Sequence, residues 1–195
     1  MFSRKILPYV ALTLFLLQLL LMLLSWILSA AFPVDSIRSL LSPEGLRWFL
    51  GHFVEHIETP VLVWLLLLSL AYGILSHSRL LHPGKGYRER RALIITLLLA
   101  VVIVGVFLLL TIVPHAVLLS ATGSLWPSPF SRSIVPMVAF AIILLSTCYG
   151  MISGRLESLR DVYEALLSGL RSAAPLFLFY MLIVQIYESI RYVFL

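Results

Sequence analysis

From Ala92 to Val113 the chain reads ALIITLLLAVVIVGVFLLLTIV, a run without a single charged side chain. A helix of that length rises about 33 Å, enough to cross a hydrocarbon core of about 30 Å. Arg88, Glu89, Arg90 and Arg91 stand immediately before it, and Pro114 follows it. Charges at one edge and a helix-breaking residue at the other mark it as a membrane span.

Working outward, the same reading applies to stretches at about 6–32, 60–76, 133–152 and 173–194. Only the last carries a carboxylate, Glu188. The composition agrees: 61% hydrophobic, 12% charged, with a mean hydropathy of +1.06, far from a water-soluble domain. The expected fold is an all-α integral membrane protein with five transmembrane helices plus two short amphipathic helices, at about 43–58 and 158–171. Together they form a single membrane domain over residues 1–195, with no room for a separate soluble domain. Arg4 and Lys5 precede the first stretch, but it far exceeds the roughly 7–15 apolar residues of a signal peptide, so it reads as an uncleaved span.

The joints carry helix punctuation. Ser42 before Pro43, Glu44 and Gly45 reads as an N-cap, a proline at the first helical position and an acid near the positive end of the dipole. Leu46, Phe49, Leu50, Phe53, Val54 and Ile57 then share one face, with Arg47, His52, Glu55 and His56 off it, as in a helix lying on a membrane surface. Pro83, Gly84, Lys85 and Gly86 form a turn facing anionic lipid, and Gly84-Lys85-Gly86 lacks the phosphate-loop pattern. Ser133 is the expected N-cap of the fourth span, with Pro136 in its first turn, and Ser158 with Asp161 forms a capping-box-like pair. The net charge of +5 comes from Lys and Arg in these joints, so it reports on orientation rather than on nucleic acid. Arg4, Lys5, Arg79, Lys85, Arg88, Arg90, Arg91, Arg155, Arg160 and Arg171 fall on one side and only Arg38, Arg47, Arg132 and Arg191 on the other. That bias puts the N-terminus in the cytoplasm and the C-terminus outside. Trp26, Trp48, Trp64 and Trp126 stand near span ends or in outer segments, where interfacial anchors stand.

Two groups of residues invite a chemical reading. His52, Glu55 and His56 spell H-x-x-E-H, the inverted zinc-protease motif, with two potential metal ligands four apart and a potential general base. They also occupy the polar face of a surface helix, and a zinc site needs a further protein ligand. Gln185, Glu188 and Arg191 are spaced by three in the last span, where ionisable groups are costly and mark substrate or proton pathways by default. Arg191 is equally placed to pair with Glu188 and snorkel outward. His115 follows Pro114 at the outer interface, and the lone Cys148 reads as a small packing residue. No catalytic constellation stands out, so neither an enzyme nor a cofactor is expected.

Beyond hydropathy, LLSPEGLRWFL from Leu40 to Leu50 and GSLWPSPFSRSIVP from Gly123 to Pro136 resemble signatures of the AbgT family of aminobenzoyl-glutamate transporters. Ile27-Leu28-Ser29-Ala30, Tyr149-Gly150 with Asp161-Val162, and Gln185 match in the same order. The resemblance implies a dimeric protein of the bacterial inner membrane. It also implies a shortened one: the family's two re-entrant hairpins, where such transporters bind substrate and ions, have no counterpart here. The Asn-rich turn that follows the Gln185 position in the family is replaced by Arg191, Tyr192 and Val193, and H-x-x-E-H is not part of the family pattern. The sequence therefore admits three readings: a framework subunit or regulator, a self-sufficient oligomeric transporter, and an interfacial metalloenzyme resting on His52, Glu55 and His56. Ala139, Ser146 and Gly150, on one face of the fourth span, would allow close contact with a second copy.

Overall fold

The structure is a computed structural model that describes residues 3–32, 37–112 and 129–195. Its helices are α1 (Ser3–Ala31), α2 (Pro43–Gly51), α3 (Phe53–Ile57), α4 (Pro60–Ser78), α5 (Tyr87–Ile112), α6 (Pro129–Ser153) and α7 (Leu159–Phe194). Among the described residues there is no strand, and five helices are long and apolar enough to cross a membrane: α1, α4, α5, α6 and α7. His115, Trp126 and the 123–128 part of the Gly123–Pro136 motif lie outside the described residues.

Two of the three expected caps form, those at Ser42 and Ser158. The Gly45 N–H donates to Ser42 Oγ at 3.0 Å, with Pro43 at the first position of α2. The Asp161 N–H donates to Ser158 Oγ at 3.2 Å, while the Asp161 carboxylate accepts from the Ser158 and Glu157 N–H groups at 2.8 and 2.9 Å. These bonds, the Ser158 N–H first, hold the exposed Asp161 carboxyl below its ordinary value. In α5 the Glu89 carboxylate reaches back to the Gly86 N–H, half of a capping box.

Four boundaries differ from the reading of the sequence, one of them the start of α5, which lies at Tyr87 and takes Arg88 to Arg91 into the helix. The first surface helix is divided at His52, where Gly51 weakens helix propagation and the His52 imidazole turns its Nδ1 toward the Trp48 carbonyl, 3.3 Å away. α6 begins at Pro129, whose fixed φ suits a first turn, so Ser133 and Pro136 lie inside it. The second surface helix and the fifth span are one helix, α7, which runs on through Pro175. The change from amphipathic to apolar near Ala173 is a change of surroundings, with no stop signal in the sequence to end the helix. At 36 residues α7 is about 54 Å long, so its first turns project beyond the hydrocarbon.

The chain forms two compact units, residues 1–63 with 174–195 and residues 64–173. In the second, Ile74, Leu156 and Ala165 make a buried cluster flanked by Ile143, Val162 and Leu166. Here α4 and α7 meet at glycines: a Cβ on Gly169 would strike the Ser69 carbonyl and the Gly73 backbone. Gly154, with φ at 78°, ends α6 while the Arg155 and Leu156 N–H groups return to the Gly150 carbonyl. Arg155 then pairs with Glu89 at 2.6 Å, and Arg88 Nε donates to the Ile152 carbonyl at 3.1 Å. Ala139, Ser146 and Gly150 are buried inside this unit, so the small-residue face of α6 is covered within the chain.

Candidate functional site

The first unit carries the candidate site, assembled at the C-terminal end of α7. Ser189 and Val193, one turn apart, are fully or almost fully buried, and each anchors a different segment. Gln18, midway along α1, donates from Nε2 to Ser189 Oγ at 2.8 Å. The Arg38 N–H donates to the Val193 carbonyl at 3.2 Å. Two residues on, the buried Leu40 donates its N–H to Ser25 Oγ at 3.0 Å. The short segment 37–42 is thus tied to both α1 and α7.

That tie explains the Leu40–Leu50 motif. Leu40 fills the core, Ser42 caps α2 and Pro43 starts it. Gly45 lets the first turn approach, because a Cβ there would strike the Ser39 carbonyl and the Leu40 backbone. One turn further, Trp48 stacks on Tyr192 with ring centroids 4.2 Å apart and an interplanar angle of 21°. His56 lies against the same indole at 4.5 Å. The Tyr180 hydroxyl holds the far end of this pair of helices, donating to the Ile57 carbonyl at 2.8 Å and sharing a hydrogen bond with the Thr59 hydroxyl. Leu46, Leu50 and Val54 stay exposed, the surface that a helix of this kind offers to lipid.

The result is a cavity of about 330 Å³ lined by Arg38, Trp48, His56, Glu188, Arg191, Tyr192 and Leu195. Arg191 pairs with Glu188 at 3.5 Å, the i,i+3 contact that their spacing allows. The Arg38 guanidinium stands 5.7 Å from the Tyr192 ring centroid, within cation–π range. Two arginines and one acidic side chain therefore stand in the lining beside the Trp48–Tyr192 stack. Such a set can bind charged groups.

The residues singled out from the sequence divide here. Glu188, Arg191 and His56, drawn from two separate motifs, line one cavity. His52 and Glu55 remain on the exposed side, 4.0 Å apart, with side chains 51% and 73% exposed. Among the described residues no group of three or more His, Cys, Asp or Glu side chains is arranged to hold a metal ion. Gln185 is buried below the cavity, one turn before Glu188, and neither end of its amide has a partner among the described residues. Sequence reasoning missed Arg38, Trp48, Tyr192 and Gln18 as site residues. The available signals were the place of Trp48 in the Leu40–Leu50 motif and its spacing of four from His52 and of eight from His56.

The fold and this site define a multi-pass helical membrane protein with a charged, aromatic-lined cavity at the end of its last span. The chain belongs to the AbgT transporter family, whose family model matches residues 85–191, more than half of its length. No curated protein and no solved structure matches it. Membership makes the chain a transport-related membrane protein.

Proposed function

We propose that this protein is a framework subunit of AbgT-type transport, a homodimer of the bacterial inner membrane that supplies packed spans rather than a complete substrate or ion site. One observation carries this reading: among the described residues, each of the five candidate spans is an uninterrupted helix. Secondary transporters build their sites near the bilayer midplane from broken helices, whose exposed backbone groups hold substrate and coupling ions. The Glu188–Arg191 pair supports it too, since the one carboxylate of the last span is matched by a cation within the same helix. The inward bias of Lys and Arg supports an N-terminus in the cytoplasm. A cysteine at Lys85 should then resist an impermeant thiol reagent in intact cells, and its ready labelling would reverse the orientation.

The test of function is uptake by proteoliposomes holding this chain, with a sodium or proton gradient imposed, beside empty vesicles and the Glu188→Gln variant. No gradient-driven accumulation of aminobenzoyl-glutamate or a sulfonamide is expected. Uptake that Glu188→Gln abolishes would overturn the framework reading. A self-sufficient oligomeric transporter would take its place, and the buried, unpartnered Gln185 amide is the observation that favours that alternative.

A further inference from the structure

The unit of residues 64–173 has a cavity of its own, where α5 begins and α6 stops. It holds about 270 Å³ and is lined by Tyr87, Arg88 and Arg91 from α5 and by Ile152 from α6. Arg88 is set in place from two sides: its Nε donates to the Ile152 carbonyl at 3.1 Å, and a Cβ on Gly154 would strike its guanidinium. Arg91 stands over the Tyr87 ring, 5.9 Å from the centroid, which occupies the face of its guanidinium and leaves the N–H edge to donate. The lining thus holds two cations and no carboxylate, of side chain or main chain. Of the acids nearby, Glu89 pairs with Arg155, Asp161 accepts from the Ser158 and Glu157 N–H groups, and Glu157 is exposed outside the lining. The opposite partial charges of the α5 start and the α6 end meet here and offset each other. Two positive charges are left to be matched.

Depth and continuity select the source. Arg91 directly precedes Ala92, where the uncharged run begins. The turn from Tyr87 to Arg91 therefore rises about 6 Å through the headgroup layer that borders a hydrocarbon core of about 30 Å. Arg88 and Arg91 are both exposed, so a headgroup reaches them from within that layer. Arg88, Arg91, Ile95 and Leu98 follow one another at spacings of three, four and three, one stripe of α5. Ile95 and Leu98 are exposed, so the stripe continues from the cavity into the membrane as an apolar track for acyl chains. A free phosphate has no use for that track; a phospholipid uses both parts.

We infer that this cavity binds the headgroup of a phospholipid with two phosphodiesters, the chemistry of cardiolipin. Arg88 takes one phosphate with the terminal N–H groups that its bond to Ile152 leaves over. Arg91 takes the other from its place on Tyr87, and the acyl chains run down the face of Ile95 and Leu98. Two arginines one turn apart match two phosphates of one headgroup, whereas a lipid with a single phosphodiester neutralises only one of them. The inference is independent of whether the chain transports anything.

The full chain in nanodiscs of phosphatidylethanolamine with phosphatidylglycerol and cardiolipin at equal phosphate, released into native mass spectrometry, tests it. One cardiolipin per chain should be retained in preference to phosphatidylglycerol. Arg88→Gln and Arg91→Gln should each weaken that retention about tenfold or more, the effect of losing one charge-assisted hydrogen bond. Arg90→Gln removes the same charge from the same turn, exposed and outside the cavity lining, and should leave retention unchanged. Equal retention of both anionic lipids by the unaltered chain would overturn the two-phosphate assignment, with no reliance on any variant folding. Displacement of the lipid by inorganic phosphate at equal concentration would overturn the lipid as the source. An Arg90→Gln loss as large as that of Arg88→Gln would overturn the location.

Discussion

In the unit of residues 64–173 backbones meet at Gly73 and Gly169, and the first side-chain atom added to either would strike main chain. In the unit of residues 1–63 and 174–195, side-chain hydrogen bonds do the joining: Gln18 to Ser189, Ser25 to the Leu40 N–H, Tyr180 to the Ile57 carbonyl. Both are ways of associating helices where lipid is as apolar as leucine and no hydrophobic drive remains between spans. They differ in tolerance. A glycine crossing has no room to give, because its neighbours are backbone. A hydroxyl or amide that loses its partner can turn back to a carbonyl of its own helix.

The sharpest way to break this contrast is Gly169→Leu. Its side chain would displace the Ser69 carbonyl and the Gly73 backbone, so a loss of about 3 kcal/mol or more is expected, read as failure to purify a single folded species or a steep drop in thermal midpoint. Gly105 in α5, where an added Cβ would meet nothing within 4 Å, provides the reference: Gly105→Ala should be neutral or stabilise by about 0.5–1 kcal/mol. Similar losses for both would mean that the crossing is not close.

Gln18→Leu probes the other unit. It removes the bond to Ser189 and also a buried amide oxygen that has no partner among the described residues. The expected loss is about 0.6 kcal/mol, the average for such bonds between membrane helices, measured by the same unfolding assay. A loss as large as that of Gly169→Leu would show that the two units do not differ in tolerance.

The smallest effect belongs to the cap of α7. The Asp161 carboxyl is held below its ordinary value of 3.8 by N–H groups of Ser158 and Glu157 and by the Ser158 hydroxyl. A depressed folded value means that the cap contributes fully above the unfolded value and loses its contribution as the pH falls through the folded one. The thermal midpoint of the unaltered chain should therefore decline slightly more than that of Asp161→Asn below pH about 4, with parallel curves above pH about 5. Parallel curves throughout would mean that the cap does not form in solution.

Much of this architecture was legible along the chain. The apolar run from Ala92, the Ser42-Pro43 start of α2 and the Ser158 and Asp161 pair are local signals, each read within a few residues; the run lies in α5 as far as Ile112, and both caps form. The continuity of α7 was not legible, because the polar-to-apolar change near Ala173 alters what surrounds the helix and leaves its backbone intact. The small-residue face of α6 was legible as a face, but its partner was not: Ala139 and Ser146 are buried in their own chain.

Span number, helix caps and the inward bias of basic residues belong to the sequence by itself, since segment length, capping chemistry and charge act over one or two turns. The cavity belongs to the tertiary structure. Glu188, His56 and Trp48 stood in separate motifs, and Arg38 in none, until two backbone N–H groups tied residues 38 and 40 to α7 and α1. Those contacts join residues more than a hundred positions apart or across a connecting loop, and their partners are a carbonyl and a hydroxyl that carry no pattern in the sequence. Spacing along one helix reports which side chains share a face; only packing between helices decides what that face meets.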